Sequence, residues 1–241
     1  MLWLALIAAA FLGGVVQTLT GFGAGVVIMM FLPHFFDLLA APAINSSICI
    51  GLSGTLTWKY RKSLKARLFL IPLLIYSFFA LVCIQLVKGF DLEWLGTAFA
   101  VFLILLSLYS LFMAKNAAVK PTPVVAFVCS MISGICGALF GIGGPLMALY
   151  FSAITTDREE YVANVQLVFF VSGVLLLGAR VMNGLYTLSL LPMTIVGILC
   201  IRVGSRVGML IAERIPTQAL RKIVYLAVGV SGVIMLIEKI F

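Results

Sequence analysis

Two glycine clusters carry the most chemistry in this sequence, and each is flanked by neutral hydrogen-bond donors. The first is Gly21-Phe22-Gly23, preceded by Gln17, Thr18 and Thr20; the second is Gly141-Ile142-Gly143-Gly144, followed by Pro145. Asn45, Ser46 and Ser47 stand in the apolar stretch after the first cluster, and Asn164 and Gln166 in the stretch after the second. Glycine permits a break in a helix, and a helix restarting after the break turns free N–H groups and the positive end of its dipole toward whatever lies there. Amide and hydroxyl donors add to that set without a formal charge. The chemistry such a constellation suits is recognition of a small anion. The expected contacts are Gln17, Thr20, Gly21, Phe22, Gly23, Asn45, Ser47, Gly141, Ile142, Gly143, Gly144, Asn164 and Gln166.

Enzyme chemistry finds little to work with. His34 is the single histidine, so neither a Ser/His/Asp set nor a His-based metal site can be assembled. The five cysteines (Cys49, Cys83, Cys129, Cys136, Cys200) are scattered in apolar stretches and read as small buried hydrophobes. No GxxxxGK[ST] occurs, and neither glycine cluster follows a predicted strand, so nucleotide loops are not expected. No cofactor and no metal are expected.

The elements that hold these residues are set by composition. Of 241 residues, 63% are hydrophobic and 10% charged, with a mean hydropathy of +1.24. Soluble domains average about 45–50% apolar and about 25% charged. Lipid is the solvent in which this chain can fold, as a multi-pass protein expected in a bacterial inner membrane. The net charge of +8 sits in short stretches between apolar runs, such as YRKSLKAR at 60–67 and TDREE at 156–160. It reports orientation rather than nucleic-acid binding. The N-terminal MLWLALIAAAF has no basic n-region and is read as retained.

Eight apolar segments are expected, at about 1–36, 38–58, 68–87, 93–113, 122–154, 161–179, 185–211 and 218–237. The first and fifth are too long for one span and too short for two, and each carries a glycine cluster, so each is expected to be a broken helix or a re-entrant hairpin. They also match each other. A shift of 120 places Gly14, Gly21 and Gly23 on Gly134, Gly141 and Gly143; a shift of 119 places Asn45, Ser53 and Gly54 on Asn164, Ser172 and Gly173; Pro72 and Pro192 realign at 120. Two repeats follow, 1–117 and 118–241. If each long segment enters and returns, thirteen of the 16 Lys and Arg share one face, with only Lys88, Arg180 and Lys239 on the other; single crossings split them nine to seven. The positive-inside rule selects the first arrangement. Each half then crosses three times, which inverts one half relative to the other and turns both termini outward. The expected fold is an all-α integral membrane protein of two inverted-topology repeats, each a glycine-broken or re-entrant helix element plus three transmembrane helices. Arg180, Arg202 and Arg206 are read as interfacial, their stems snorkelling. Ser53 and Ser172 each stand beside a glycine and are read as packing positions.

The motifs TGFGAG and FGIGGPLMALY, with the closing VGSRVGMLIAERIPTQALRKIVYLAVGVSGVIML, resemble the TauE/SafE family of sulfite and organosulfonate transporters over nearly the whole chain. The resemblance implies a secondary transporter of sulfite, sulfonates or related small anions, and carries over to Gly21, Gly23, Gly141, Gly143 and Pro145. Gly25 stands where the second cluster has Pro145, so the two halves differ at that point. An anion channel and a transporter of small carboxylates are the alternatives. The partners implied are a small anionic substrate and the bilayer, no nucleic acid, and a homodimer is left open.

Overall fold

A computed structural model describes residues 2–89, 91–109, 111, 122–211 and 217–240. The expected boundary between the halves at 117/118 and the charged stretches 115–121 and 213–216 lie outside the described residues.

The described residues form ten α-helices and short 3-10 turns: α1 (Leu2–Thr20), α2 (Ala24–Met29), α3 (Ala40–Lys59), α4 (Ala66–Leu86), α5 (Leu92–Leu108), α6 (Pro123–Phe140), α7 (Gly144–Ile154), α8 (Arg158–Met182), α9 (Leu191–Ile211) and α10 (Thr217–Ile240). Five stretches are long and apolar enough to span a bilayer: α1, α4, α6, α8 and Leu188–Ile211. The protein is an all-α membrane protein. Helix α3 is as long as these but more polar, carrying Asn45, Ser46, Ser47 and Ser53; it is buried among its neighbours rather than turned to lipid.

Both long apolar segments are interrupted at their glycines. α1 ends at Thr20 and α2 starts at Ala24; α6 ends at Phe140 and α7 starts at Gly144. Gly21 (φ 83°) and Gly141 (φ 67°) take the left-handed conformation that ends a helix, which a side chain would oppose. The turn at Gly141 is closed by Ile142 N–H donating to Cys136 O (3.3 Å) and Gly141 N–H to Gly137 O (3.2 Å). The restarting helices are unequal. α2 has six residues, under two turns, whereas α7 has 11. A helix starts after each break, but the first runs only briefly before a 3-10 turn at Leu32–His34.

Helices α3 and α8, and α5 and α10, pack on each other in antiparallel pairs. Gly54 of α3 faces Phe170 of α8, while Ile50 faces Gly173. Gly229 of α10 faces Ser107 of α5, and Gly232 faces Ala100. The remaining pairings interchange: α1 packs on α9 as α6 packs on α4. At one end of the bundle, Lys65 Nζ pairs with Glu160 Oε2 at 2.7 Å and Lys65 N–H donates to Asn164 Oδ1 at 3.1 Å, joining the α3–α4 turn to the start of α8.

Pro72 and Pro192, expected to align at a shift of 120, take different places in their helices. α4 and α9 both have 21 residues, so a shift of 125 pairs their ends, Ala66 with Leu191 and Leu86 with Ile211. At that shift the exposed Leu70, Leu74 and Phe78 fall on the exposed Ile195, Leu199 and Val203, so the outward stripes coincide. Pro72 is buried inside α4, and Pro192 is the second residue of α9. The register moves because α8 continues past the counterpart of the end of α3: Lys59 corresponds to Gly178, and α8 runs on to Met182.

Candidate functional site

The carbonyls at the two breaks are held by amides from the opposite half. Gln166 Nε2 of α8 donates to Gly21 O at 2.7 Å. Asn45 Nδ2 of α3 donates to Gly141 O at 3.0 Å and to Gly25 O at 3.2 Å, which ties the start of α2 to the end of α6. Gln17 Nε2 donates to Gln166 Oε1 at 3.0 Å and to Ser53 Oγ at 3.4 Å. In lipid such carbonyls have no water to accept from, so protein donors must serve them. The amides of Asn45 and Gln166 are thus engaged with backbone.

Between the breaks lies a cavity of about 70 Å³. One water needs roughly 10–15 Å³ on this measure, so the space suits a few waters or one small ion. Its wall takes Gly23, Gly25 and Gln17 from the first half, and Gly141, Ile142, Gly143 and Gly144 from the second. Ser46, Ser53, Tyr76, Ser172 and Cys49 complete the polar residues of the lining, with Phe169 and Leu176 among the apolar ones.

The expected contacts divide accordingly. Gln17, Gly23, Gly141, Ile142, Gly143 and Gly144 meet at the cavity. Thr20 and Gly21 border a separate cleft of about 220 Å³, with Arg158 and Tyr161, at the end of the bundle that holds the Lys65–Glu160 pair. Thr20 Oγ1 donates back to Val16 O at 2.9 Å. Phe22 packs toward Tyr225, ring centroids 6.4 Å apart. Ser47 is buried and donates to Ala43 O at 2.8 Å within its own helix. Asn164 lies apart from the breaks: its Nδ2 donates to Glu160 O at 2.7 Å and its Oδ1 takes the Lys65 N–H. It serves the turn at the end of the bundle, where the counterpart Asn45 serves a break.

The family model for the sulfite exporter TauE/SafE matches residues 6–235. The chain belongs to the TauE/SafE family. Neither the curated proteins nor the solved structures give a match. TauE/SafE membership makes it a membrane transporter of the sulfite and sulfonate type, and the family resemblance read from TGFGAG and FGIGGP is thereby established.

The reading of Ser53 and Ser172 as packing positions is incomplete. They match at a sequence shift of 119, and both reach the cavity wall of this TauE/SafE chain; their identical spacing from Asn45 and Asn164 was the available signal. Tyr76 left no signal in the sequence, being one tyrosine in an apolar run.

Arg180 is the larger correction. Expected at the membrane surface, it is 1% exposed. Its Nη1 donates to Pro42 O (2.8 Å) and Ser46 Oγ (2.6 Å), and its Nη2 to Ala138 O (2.8 Å) and Gly137 O (3.4 Å). It lies in the extra turn that α8 has over α3. Burial there replaces the snorkelling expected of a helix-terminal arginine.

Proposed function

We propose that this chain carries sulfite or a short organosulfonate across a bacterial inner membrane by alternating access, its inverted halves (1–117 and 118–241) rocking about the cavity between the glycine breaks. The observation that carries this reading is the cavity itself. It is small, it draws wall groups from both halves, and it offers hydroxyl and amide groups without a carboxylate in its lining. In a family of sulfite exporters, that lining fits an oxyanion.

The inverted relation has independent support. Copies related by an axis along the membrane normal would place α3 parallel to α8 and α5 parallel to α10; both pairs are antiparallel. The Lys65–Glu160 pair gathers the basic 60–67 stretch and the 156–160 stretch at one end, as entering-and-returning segments require and single crossings forbid.

Purified protein reconstituted in liposomes should take up labelled sulfite saturably, with counterflow when unlabelled sulfite is loaded inside. Large unitary currents without counterflow would instead establish a channel. In a thermal-shift screen, sulfite and sulfonates should stabilise the protein; stabilisation by carboxylates alone would overturn the sulfur-anion assignment.

A further inference from the structure

Helix α8 brings an arginine to the final turns of both break helices. Arg158 Nη2 donates to Thr18 O of α1 at 3.2 Å, and Arg180 Nη2 donates to Ala138 O of α6 at 2.8 Å. Thr18 and Ala138 are counterparts at the repeat shift of 120. The carbonyl end of a helix is negative, and a guanidinium there offsets it. The two arginines differ in setting: Arg158 is exposed, whereas Arg180 is enclosed by protein.

All four acceptors of Arg180 are neutral, three carbonyls and one hydroxyl. Among the described residues no carboxylate pairs with it, and Glu160 is engaged by Lys65 at the far end of α8. A buried charge with no opposite charge is unfavourable, and inside a membrane protein it points to an incoming partner. The direction of that partner is set by geometry. Ser46 and Gly137, two of the four residues holding the guanidinium, are also part of the cavity wall. The charge therefore stands one side chain behind the cavity.

We propose that Arg180 is the fixed positive charge that makes the cavity select oxyanions over neutral molecules of the same shape, and that Ser46 presents that charge to the substrate. The inference rests on the reading of the cavity as the substrate site. Ser46 Oγ accepts from Arg180 Nη1 and donates to Pro42 O at 2.7 Å. A hydroxyl accepting from a cation is a stronger donor. Turned toward the cavity, it donates to an oxyanion oxygen and keeps its bond from Nη1, while Pro42 O retains its own bond from Arg180. The ligand class is a compact oxyanion with one or two negative charges, of the size of sulfite or methanesulfonate.

The test compares methanesulfonate with dimethyl sulfone, a neutral molecule of nearly the same shape, by titration calorimetry on the purified full chain, with sulfite as reference. Wild type should prefer the anion. Arg180→Gln should reduce that preference by roughly tenfold or more, and Arg180→Lys should retain most of it. Ser46→Ala leaves three carbonyls on the guanidinium and should weaken methanesulfonate binding roughly three- to tenfold with little change for the sulfone. A purely structural role would lower thermal stability without moving the preference. Should Arg180→Gln fail to fold, Ser46→Ala decides alone. Wild-type preference retained in a folded Arg180→Gln or in Ser46→Ala overturns the inference while leaving the transporter reading standing. Wild type that binds neither sulfite nor methanesulfonate overturns both.

Discussion

Removing the amide of Gln166 would strand Gly21 O and leave the Gln17 amide with only its longer bond to Ser53 Oγ. A buried polar group left without its partner costs about 1–3 kcal/mol. Gln166→Leu should therefore lower the midpoint of thermal unfolding in detergent, and Asn45→Leu should do the same through Gly141 O and Gly25 O. An unchanged midpoint in both would mean that water serves these carbonyls instead. Gly143 makes a different point. A Cβ there would lie 2.7 Å from Ser133 O and against the Tyr76 hydroxyl, in the cavity wall. Gly143→Ala should slow sulfite flux several-fold even where protein folds and inserts; normal flux would place the substrate elsewhere. These residues were legible in the sequence as polar or glycine positions within apolar runs. Their partners were not. An amide that caps a backbone carbonyl and one that faces a ligand look alike until the fold sets what lies within hydrogen-bonding distance.

At the scale of helices, each half repeats one close contact. Gly14 of α1 lies over the backbone of Ile201 and Ser205 in α9, and Gly134 of α6 lies over that of Tyr76 and Ala80 in α4. In both, the facing groups are a carbonyl and the N–H four residues on. Lipid gives no hydrophobic drive for helices to associate, so backbone approach through small residues supplies the packing. Gly14→Ala and Gly134→Ala should each destabilise the protein by about 1–3 kcal/mol, as overpacked sites do. Gly178 of α8 has nothing within 4 Å of where its Cβ would be. Gly178→Ala should be neutral or stabilising by up to about 1 kcal/mol, from helix propensity alone. Thermal unfolding of the three variants separates a packing role from a generic response to added bulk; equal losses in all three would refute it. The pairing of Gly14 with Gly134 was visible as a repeat at 120. The shift to 125 by α4 and α9 was not, because it arises from the extra turn of α8. That same turn buries Arg180, which a helix-end position in an apolar sequence represents as interfacial. A repeat read from glycine and asparagine landmarks follows the shared elements and is blind to what one copy has added.

For the whole molecule, charge and packing support the proposed topology by separate routes. The distribution of Lys and Arg favoured segments that enter and return, and it used no contacts. The antiparallel crossing of α3 with α8 and of α5 with α10 used no charges. The pairing of Lys65 with Glu160 links the two: it sets the 60–67 and 156–160 stretches on one face, where the charge argument had put them. The all-α membrane fold was legible because composition and helix length against bilayer thickness act along the chain, without tertiary detail. The cavity was not, since its wall draws on both halves and on helix rotation. The topology predicts where the ends lie. Three full crossings per half, with each broken segment returning to its own side, leave both termini outward. A reporter enzyme active only outside the cytoplasm, fused after Phe241, should be active, and a fluorescent protein that matures only in the cytoplasm should stay dark at the same position. The same pair of fusions placed after Ser63 should reverse, because that turn shares its face with most of the basic residues. A dark fluorescent reporter at Ser63 beside a bright one at Phe241 would invert the whole assignment; two bright ones would require an even number of crossings between them and refute the return of the second broken segment.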